Sequence, residues 1–150
     1  MKIYNIKDKI EYLDEVAKLE YDEWADDKEN NKQGRIKNKK EKILNMLSDK
    51  VFCKLILIKK NILIGFVSIF PYDCEEEKEL SPWYATMYVK KEFRGYGYSK
   101  ILNDAILDEA RSRGLNVLYL KTNLNNYYEK FGACYIKDLS NNEKLYKFEL

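Results

Sequence analysis

The chain has 150 residues, which favours one domain (1–150) with room for a buried core. Its 45% hydrophobic content argues against disorder, and the formal net charge of +2 argues neither for nor against nucleic acid. No run approaches the ~20 apolar residues that span a bilayer, and the absence of histidine removes most zinc sites and the commonest general base. We expect a cytoplasmic protein with no metal and no membrane partner.

The first half of the chain predicts a strand, two helices and a hairpin. The expected elements are a strand at Lys2–Ile6, helices at 8–24 and 36–47, and strands at 51–58 and 62–70. The helices are predicted from apolar residues at helical spacing, and the hairpin from its β-branched content. Gly65 inside the second hairpin strand indicates a bulge or a close backbone contact.

The second half predicts one strand–helix–strand crossover followed by two further strands. The expected elements are an acidic loop at 71–81, a strand at 83–89, a helix at 99–113 closed by Gly114, a strand at 115–122, a short helix at 124–131, and strands at 133–136 and 144–150. The order predicts an α/β (α+β) fold. We expect a mixed, mostly antiparallel sheet of six or seven strands flanked by about four helices.

Two glycines lie between the third central strand and the helix that follows it. Gly95 and Gly97 permit a tight turn and let a ligand approach backbone N–H groups. The first turn of a helix offers N–H donors without internal partners, and its dipole favours an anion. Arg94 and Lys100 add positive charge. The junction therefore predicts a phosphate site, although a plain turn of small residues explains the glycines equally well.

The sequence around these glycines fits neither of two common phosphate motifs. RGYGYSKI lacks the GxxxxGK[ST] pattern of a P-loop, and Lys100 stands where a dinucleotide turn requires its third glycine. RGYGYS does resemble the [Q/R]-x-x-G-x-[G/A] acyl-CoA turn of the GNAT N-acetyltransferase superfamily. Gly97 takes the fixed glycine position, and Ser99 replaces the last glycine or alanine.

A second segment strengthens the resemblance. YYEKFG, at 127–132, is similar to the family's Y-E-K-x-G-F segment, with Ala133 in place of the final phenylalanine. The two motifs lie within residues 83–136. The resemblance implies a GNAT-like fold and an enzyme that uses acetyl-CoA as co-substrate. Such an enzyme transfers the acetyl group to a primary amine, on a small molecule or a peptide, by direct attack in a ternary complex.

The resemblance also implies where acetyl-CoA binds. Backbone N–H groups from Tyr96 to Lys100 would hold the pyrophosphate. The pantetheine arm would lie along the strand end at Met87–Val89, which must separate from Leu118–Leu120, and free backbone donors there could polarise the thioester. The expected acetyl-CoA-binding residues are Met87, Tyr88, Val89, Arg94, Gly95, Tyr96, Gly97, Tyr98, Ser99, Lys100 and Asn123. Asn123 could equally cap a helix at Leu124.

Tyr128 occupies the family position of the general acid, which protonates the departing thiolate. With reference pKa values of about 8.5 for a thiol and about 10 for tyrosine, that transfer is uphill by roughly 2 kcal/mol. A positioned donor can still assist in the transition state. From the residues alone, Tyr128 could instead pack a helix onto the sheet.

The sequence offers several candidates for the general base and for the acceptor pocket. Tyr84, Ala85 and Thr86 on the central strand carry no carboxylate. Two groups of carboxylates could act as the base through water. One is Glu79 with the loop acids before it, and the other is Asp22 and Glu23 near the end of the first helix. Trp24 and Trp83 could line the acceptor pocket or pack in the core.

Four further interpretations concern function and partners. A non-catalytic acyl-CoA-binding module of the same fold is the main alternative to an enzyme. The lysine-rich stretch 28–42 could contact nucleic acid, but we expect exposed helix faces instead. The acidic loop at 73–79 could attract a cationic amine or could simply be solvated. Exposed strand edges make a homodimer a reasonable expectation.

Overall fold

The computed structural model describes residues 1–24 and 31–150 as a seven-stranded sheet with α-helices on both faces. The strands are β1 (Lys2–Asn5), β2 (Cys53–Lys59), β3 (Ile62–Phe70), β4 (Trp83–Val89), β5 (Val117–Thr122), β6 (Cys134–Asp138) and β7 (Lys144–Glu149). The α-helices are α1 (Leu13–Trp24), α2 (Lys32–Met46) and α3 (Tyr98–Ser112). The strand order is β1-β2-β3-β4-β5-β7-β6, and within the described residues only β4 and β5 pair in parallel. The predicted mixed, mostly antiparallel fold is confirmed.

β2 and β3 are buried on both faces of the sheet, which explains why they read as continuous apolar runs. Leu55 and Leu57 of β2 face the cluster that contains the apolar side of α3. Ile56 and Ile58 point the other way, into the cluster formed with α1 and α2. One strand therefore supplies two cores, since alternate side chains lie on opposite faces.

Two predicted helices have different limits in the structure. α1 begins at Leu13 rather than residue 8, because the preceding residues form two short 3₁₀ turns separated by Lys9, whose backbone is not helical (φ −141°, ψ 52°). Within 124–131, only Tyr128–Phe131 is helical, as a 3₁₀ turn. The Thr122 hydroxyl accepts a hydrogen bond from the Leu124 N–H, and Asn126 has a φ of +56°. The expected helix at 124–131 was therefore wrong over its first half.

Both features predicted for Gly65, a bulge and a close backbone contact, are confirmed. The pairing register between β2 and β3 shifts between Leu57 and Ile58, opposite this glycine. A Cβ atom at Gly65 would lie 2.3 Å from the Tyr88 carbonyl oxygen. Only glycine allows β3 and β4 to approach this closely at the end of β4.

β4 and β5 pair at only one point, and this arrangement creates the site. Trp83 and Tyr119 are in register near the start of both strands. No further pair follows in the described chain, so the carboxyl ends of the two strands lie apart. The separation expected between Met87–Val89 and Leu118–Leu120 is confirmed. Among the described helices, none has the length and apolarity needed to cross a membrane.

Candidate active site

A cavity of about 600 Å³ opens where β4 leaves β5. Most of the predicted acetyl-CoA-binding residues line it: Met87, Tyr88, Val89, Arg94, Gly95, Gly97, Tyr98 and Ser99. We call this space the donor cavity. Tyr96 is exposed and lines a neighbouring pocket, and the Lys100 side chain is paired with Asp104 at 2.7 Å. Asn123 lines a different cavity, described below.

The amino end of α3 faces the donor cavity with its backbone donors uncapped. Gly97 is the N-cap residue with a φ of +83°, and no side chain in the described ranges caps it. The first intrahelical bond runs from the Ile101 N–H to the Gly97 carbonyl. The N–H groups before Ile101 therefore have no acceptor within the helix, and they can hold an anion.

Arg94 joins the glycine turn to the end of β4. Its Nε donates to the Val89 carbonyl over 2.8 Å, and its guanidinium lies 5.5 Å from the centroid of the Tyr88 ring. One donor of the side chain is thus used inside the protein. The arginine fixes the turn against the strand and also places positive charge on the wall of the donor cavity.

A bulge in β4 redirects the strand just before Met87. The register between β3 and β4 shifts between Phe66 and Ser68, and Thr86 has a φ of +49°. A left-handed conformation is costly for a β-branched residue and persists only when its surroundings hold it. The bulge brings Met87–Val89 to the donor cavity instead of continuing the pairing with β5.

A buried polar network holds this bulge. Lys54 Nζ donates to Glu20 Oε1 at 2.9 Å, to Ser68 Oγ at 2.5 Å and to Thr86 Oγ1 at 3.1 Å. The Ser68 and Thr86 hydroxyls lie 2.6 Å apart. Burial lowers the pKa of Lys54, while the charge of Glu20 opposes that effect. The network connects α1, β2, β3 and β4 at one point beneath the cleft.

A second cavity of about 700 Å³ adjoins the first, and we call it the acceptor cavity. The two cavities share Glu23, Met87, Leu124 and Tyr128 in their walls. The further wall of the acceptor cavity combines aromatic and charged residues: Trp24, Phe70, Tyr84, Lys39, Lys42, Lys121, Asp73 and Glu143. A chemical group transferred from a ligand in one cavity to a ligand in the other would pass beside these four shared residues.

Tyr128 lies at this junction and is nearly buried. Its ring meets Tyr84 edge-on at 5.7 Å and Tyr127 edge-on at 4.8 Å. Burial raises its pKa well above the ordinary value for tyrosine, with a smaller contribution from Tyr127. The hydroxyl is therefore protonated at neutral pH and is available as a hydrogen-bond donor.

The structure separates the carboxylates that the sequence left open as bases. Glu23, in the last turn of α1, lines both cavities. Asp73 lines the acceptor cavity alone, and its pKa is raised to about 6, chiefly by burial and also by Glu143, while Lys121 and Lys42 oppose the rise. Asp22 and Glu79 line neither cavity.

The two tryptophans proposed for the acceptor pocket have different environments. Trp24 lines the acceptor cavity with 42% of its surface exposed, and its ring packs edge-on against Phe66 and Tyr88. Trp83 is 0% exposed, donates from Nε1 to the Leu80 carbonyl and packs against Tyr119. The expectation that Trp83 could line the pocket is corrected, because its side chain lies in the core.

The acidic loop contacts β6 and the turn after it, and part of the basic stretch is helical. Glu77 pairs with Lys137, and Glu76 accepts hydrogen bonds from Ser140. Residues 28–30 of the basic stretch lie outside the described residues, and its later part forms α2. In the described ranges, no three His, Cys, Asp or Glu side chains are grouped closely enough to hold a metal ion.

Residues 11–133 match the family model described as "Acetyltransferase (GNAT) family". No curated protein matches the chain. Among solved structures, aminoglycoside 6'-acetyltransferase type Ii is 17% identical with a TM-score of 0.71, over 98% of this chain and 95% of that one.

Two other solved structures are similar over the whole of both chains. The PaiA N-acetyltransferase from Thermoplasma acidophilum, in complex with coenzyme A, is 21% identical with a TM-score of 0.68, over 100% of each chain. The ribosomal-protein-alanine N-acetyltransferase from Brucella melitensis is 17% identical with a TM-score of 0.71, also over 100% of each chain. At these identities the likeness shows a shared fold.

Proposed function

The chain belongs to the GNAT acetyltransferase family, and we propose on that basis that it transfers the acetyl group of acetyl-CoA to a primary amine, on a small molecule or a peptide. The observation that carries this proposal is the meeting of two cavities at Tyr128 and Met87. One cavity has an uncapped helix end for a phosphate group, and the other has carboxylates that suit an amine.

The donor cavity suits the two halves of coenzyme A in different ways. The free N–H groups at the amino end of α3 would hold the diphosphate, with Arg94 adding positive charge. The end of β4, at Met87–Val89, has lost its pairing with β5, so its backbone groups are available to the amides of the pantetheine arm. The solved PaiA N-acetyltransferase binds coenzyme A in a chain of the same fold.

The reaction we propose needs no covalent intermediate on the enzyme. The nitrogen of the amine attacks the acetyl carbon, a C–N bond forms, and the C–S bond breaks to release the thiolate of coenzyme A. Backbone donors at the end of β4 would stabilise the oxyanion. The proton lost from the amine leaves through water to a carboxylate.

Tyr128 would donate a hydrogen bond to the departing sulfur. Since burial raises its pKa, complete proton transfer to the thiolate costs more than the roughly 2 kcal/mol of the reference values. Its contribution is therefore greatest as a neutral donor while charge develops on sulfur.

Glu23 is the carboxylate best placed to accept the proton of the amine. It alone among the acidic residues of the described chain lines both cavities. Asp73 lies in the acceptor cavity only, where its charge would attract a cationic amine and its pKa of about 6 leaves it ionised at neutral pH.

A non-catalytic acyl-CoA-binding module is the second candidate function. It is favoured by the missing carboxylate on β4, where Tyr84, Ala85 and Thr86 face the site. In such a module the donor cavity would be used and the acceptor cavity would not.

The experiment that separates the two functions measures free thiol release from acetyl-CoA with a panel of primary amines. We expect release above the amine-free background, together with a product heavier by one acetyl group. Binding of acetyl-CoA without release for any amine would favour the module, and absence of binding would contradict both functions.

A further inference from the structure

We infer, resting on the proposed function, that the acceptor is a zwitterion: an amine that also carries a carboxylate, of the class of amino acids and short peptides. The acceptor cavity places three lysines and three carboxylates around one space of about 700 Å³. That size is within the usual range for small-molecule sites. The charges on its wall determine which amines it can accept.

Among the residues that the structure describes, the positive and negative charges on the wall of the acceptor cavity are equal in number. Its carboxylates are those of Glu23, Asp73 and Glu143, and its cations are those of Lys39, Lys42 and Lys121. An acceptor that carries several positive charges and no negative charge would place them beside three ammonium groups. Such like-charge contacts select against a partner. A zwitterion matches both sets of charges at once.

None of the three lysines forms a close ion pair with another residue that the structure describes. Within the residues that the structure describes, none of them has a carboxylate oxygen within 4.0 Å, whereas Lys40 on the same helix as Lys39 and Lys42 pairs with Asp14 at 2.7 Å. Lys121 projects from β5 and is half-buried. A partly buried cation without a close partner is costly, and the carboxylate of a ligand would compensate it.

The charges are also ordered along the cavity. Glu23 is the only one of the six charged residues that also lines the donor cavity, so negative charge lies at the junction where the amine must react. All three lysines lie on the acceptor side alone. A bound zwitterion would therefore place its amine towards Glu23 and Tyr128 and its carboxylate towards the lysines.

Matched pairs of amines that differ only in a carboxylate test this inference. Ornithine and putrescine form one pair, and phenylalanine and phenylethylamine form another. We expect kcat/KM, measured from thiol release, to be at least about tenfold higher for the carboxylate member of the preferred pair, the size of one good charged contact. Lys121→Met should abolish most of that preference by lowering kcat/KM for the carboxylate member.

Lys37→Met is the matched control, because Lys37 is exposed on α2 and lines neither cavity. It should leave the preference intact. If Lys121→Met does not fold, as judged by circular dichroism, the double variant Lys39→Met with Lys42→Met is used instead. It removes the two lysines that α2 contributes to the same cavity wall.

The possible outcomes distinguish a failure of the zwitterion inference from a failure of the proposed function. Equal rates within every pair, or faster turnover of the decarboxylated members, would overturn the inference while leaving the proposed function in place. A preference that survives in the lysine variants would overturn it as well. No turnover of any amine would contradict the proposed function itself and remove the inference with it.

Discussion

Lys54 and Glu20 form a fully buried ion pair between the sheet and α1, with Nζ and Oε1 2.9 Å apart. The same ammonium group reaches Thr86, the residue with a left-handed backbone at the bulge in β4. Three residues after Glu20, Glu23 lines both cavities. One charged pair thus connects the helix that carries the proposed base to the strand that would hold the thioester.

Breaking this pair should be far more damaging than replacing it. We expect Lys54→Met alone to cost about 3–5 kcal/mol of unfolding free energy, because Glu20 would be left buried without a partner. The double variant Glu20→Met with Lys54→Met should recover most of that loss, since apolar replacements of buried ion pairs are often neutral. Urea denaturation measures both.

The double variant also separates the effect of the buried network on stability from its effect on the position of β4. Among the described side chains, the Thr86 hydroxyl would keep only that of Ser68 as a partner, so we expect kcat to stay below that of the wild type even where stability has recovered. Wild-type kcat in a stable double variant would show that the network does not position the strand. Equal loss of stability in the single and double variants would contradict the first expectation.

Tyr128→Phe tests the proposed acid. Removing the hydroxyl should lower kcat by about 10²-fold while the affinity for acetyl-CoA changes little, because the ring contacts that line the donor cavity remain. Tyr127→Phe is the control, since it removes a hydroxyl from the adjacent ring. A Tyr128→Phe enzyme with unchanged kcat would assign this tyrosine to packing.

Asp73 should make stability depend on pH. Its pKa is about 6 in the folded protein, above its ordinary value of 3.8, so its protonated form favours the folded state. This contribution is present below about pH 4 and is lost as the pH rises through 6. Relative to Asp73→Asn, the wild type should lose up to about 3 kcal/mol of unfolding free energy between pH 4 and pH 7. A difference between the two proteins that stays constant over this range would show that Asp73 does not titrate in this way.

Asn103 offers a stabilising substitution at a position that lines neither cavity. Its side chain is buried on the apolar face of α3, and neither amide atom has a hydrogen-bond partner in the described ranges. Asn103→Leu should raise the free energy of unfolding by about 1–3 kcal/mol, because a buried polar group without partners is replaced by an apolar one. Asn103→Asp, which places a charge at the same position, should lower Tm. A leucine variant less stable than the wild type would indicate a partner for this amide.

The sequence predicted the fold best where the structure depends on residues that are close together in the chain. The hairpin of β2 and β3 follows from two β-branched runs and a short polar connection, and the limits of β3 and β4 agree with the predicted ones. The start of α1 was wrong because local turns at 6–12 compete with an amphipathic pattern that continues through them. Periodicity identifies the helix but not its first residue.

Much of the donor cavity could be predicted because most of its lining residues lie in one continuous segment, 87–99, with glycines at fixed positions. The acceptor cavity could not, since Glu23, Asp73, Lys121 and Glu143 come from four separate elements and meet only in the folded chain. Trp24 and Trp83 show the same limit of prediction from sequence. The two residues have the same chemistry, but the fold places one on the wall of the cavity and the other in the core.

The most direct test of the account is calorimetry of coenzyme A binding to the wild type, Gly97→Ala and Gly114→Ala. The two glycines lie at opposite ends of α3 with φ values of +83° and +77°, and an added Cβ would meet nothing within 4 Å at either. Both variants should lose a similar stability of about 1–2 kcal/mol from backbone strain. If the amino end of α3 holds the diphosphate, coenzyme A should bind the wild type and Gly114→Ala alike and Gly97→Ala at least about tenfold more weakly. No heat with the wild type, or equal affinity for all three proteins, would contradict the account.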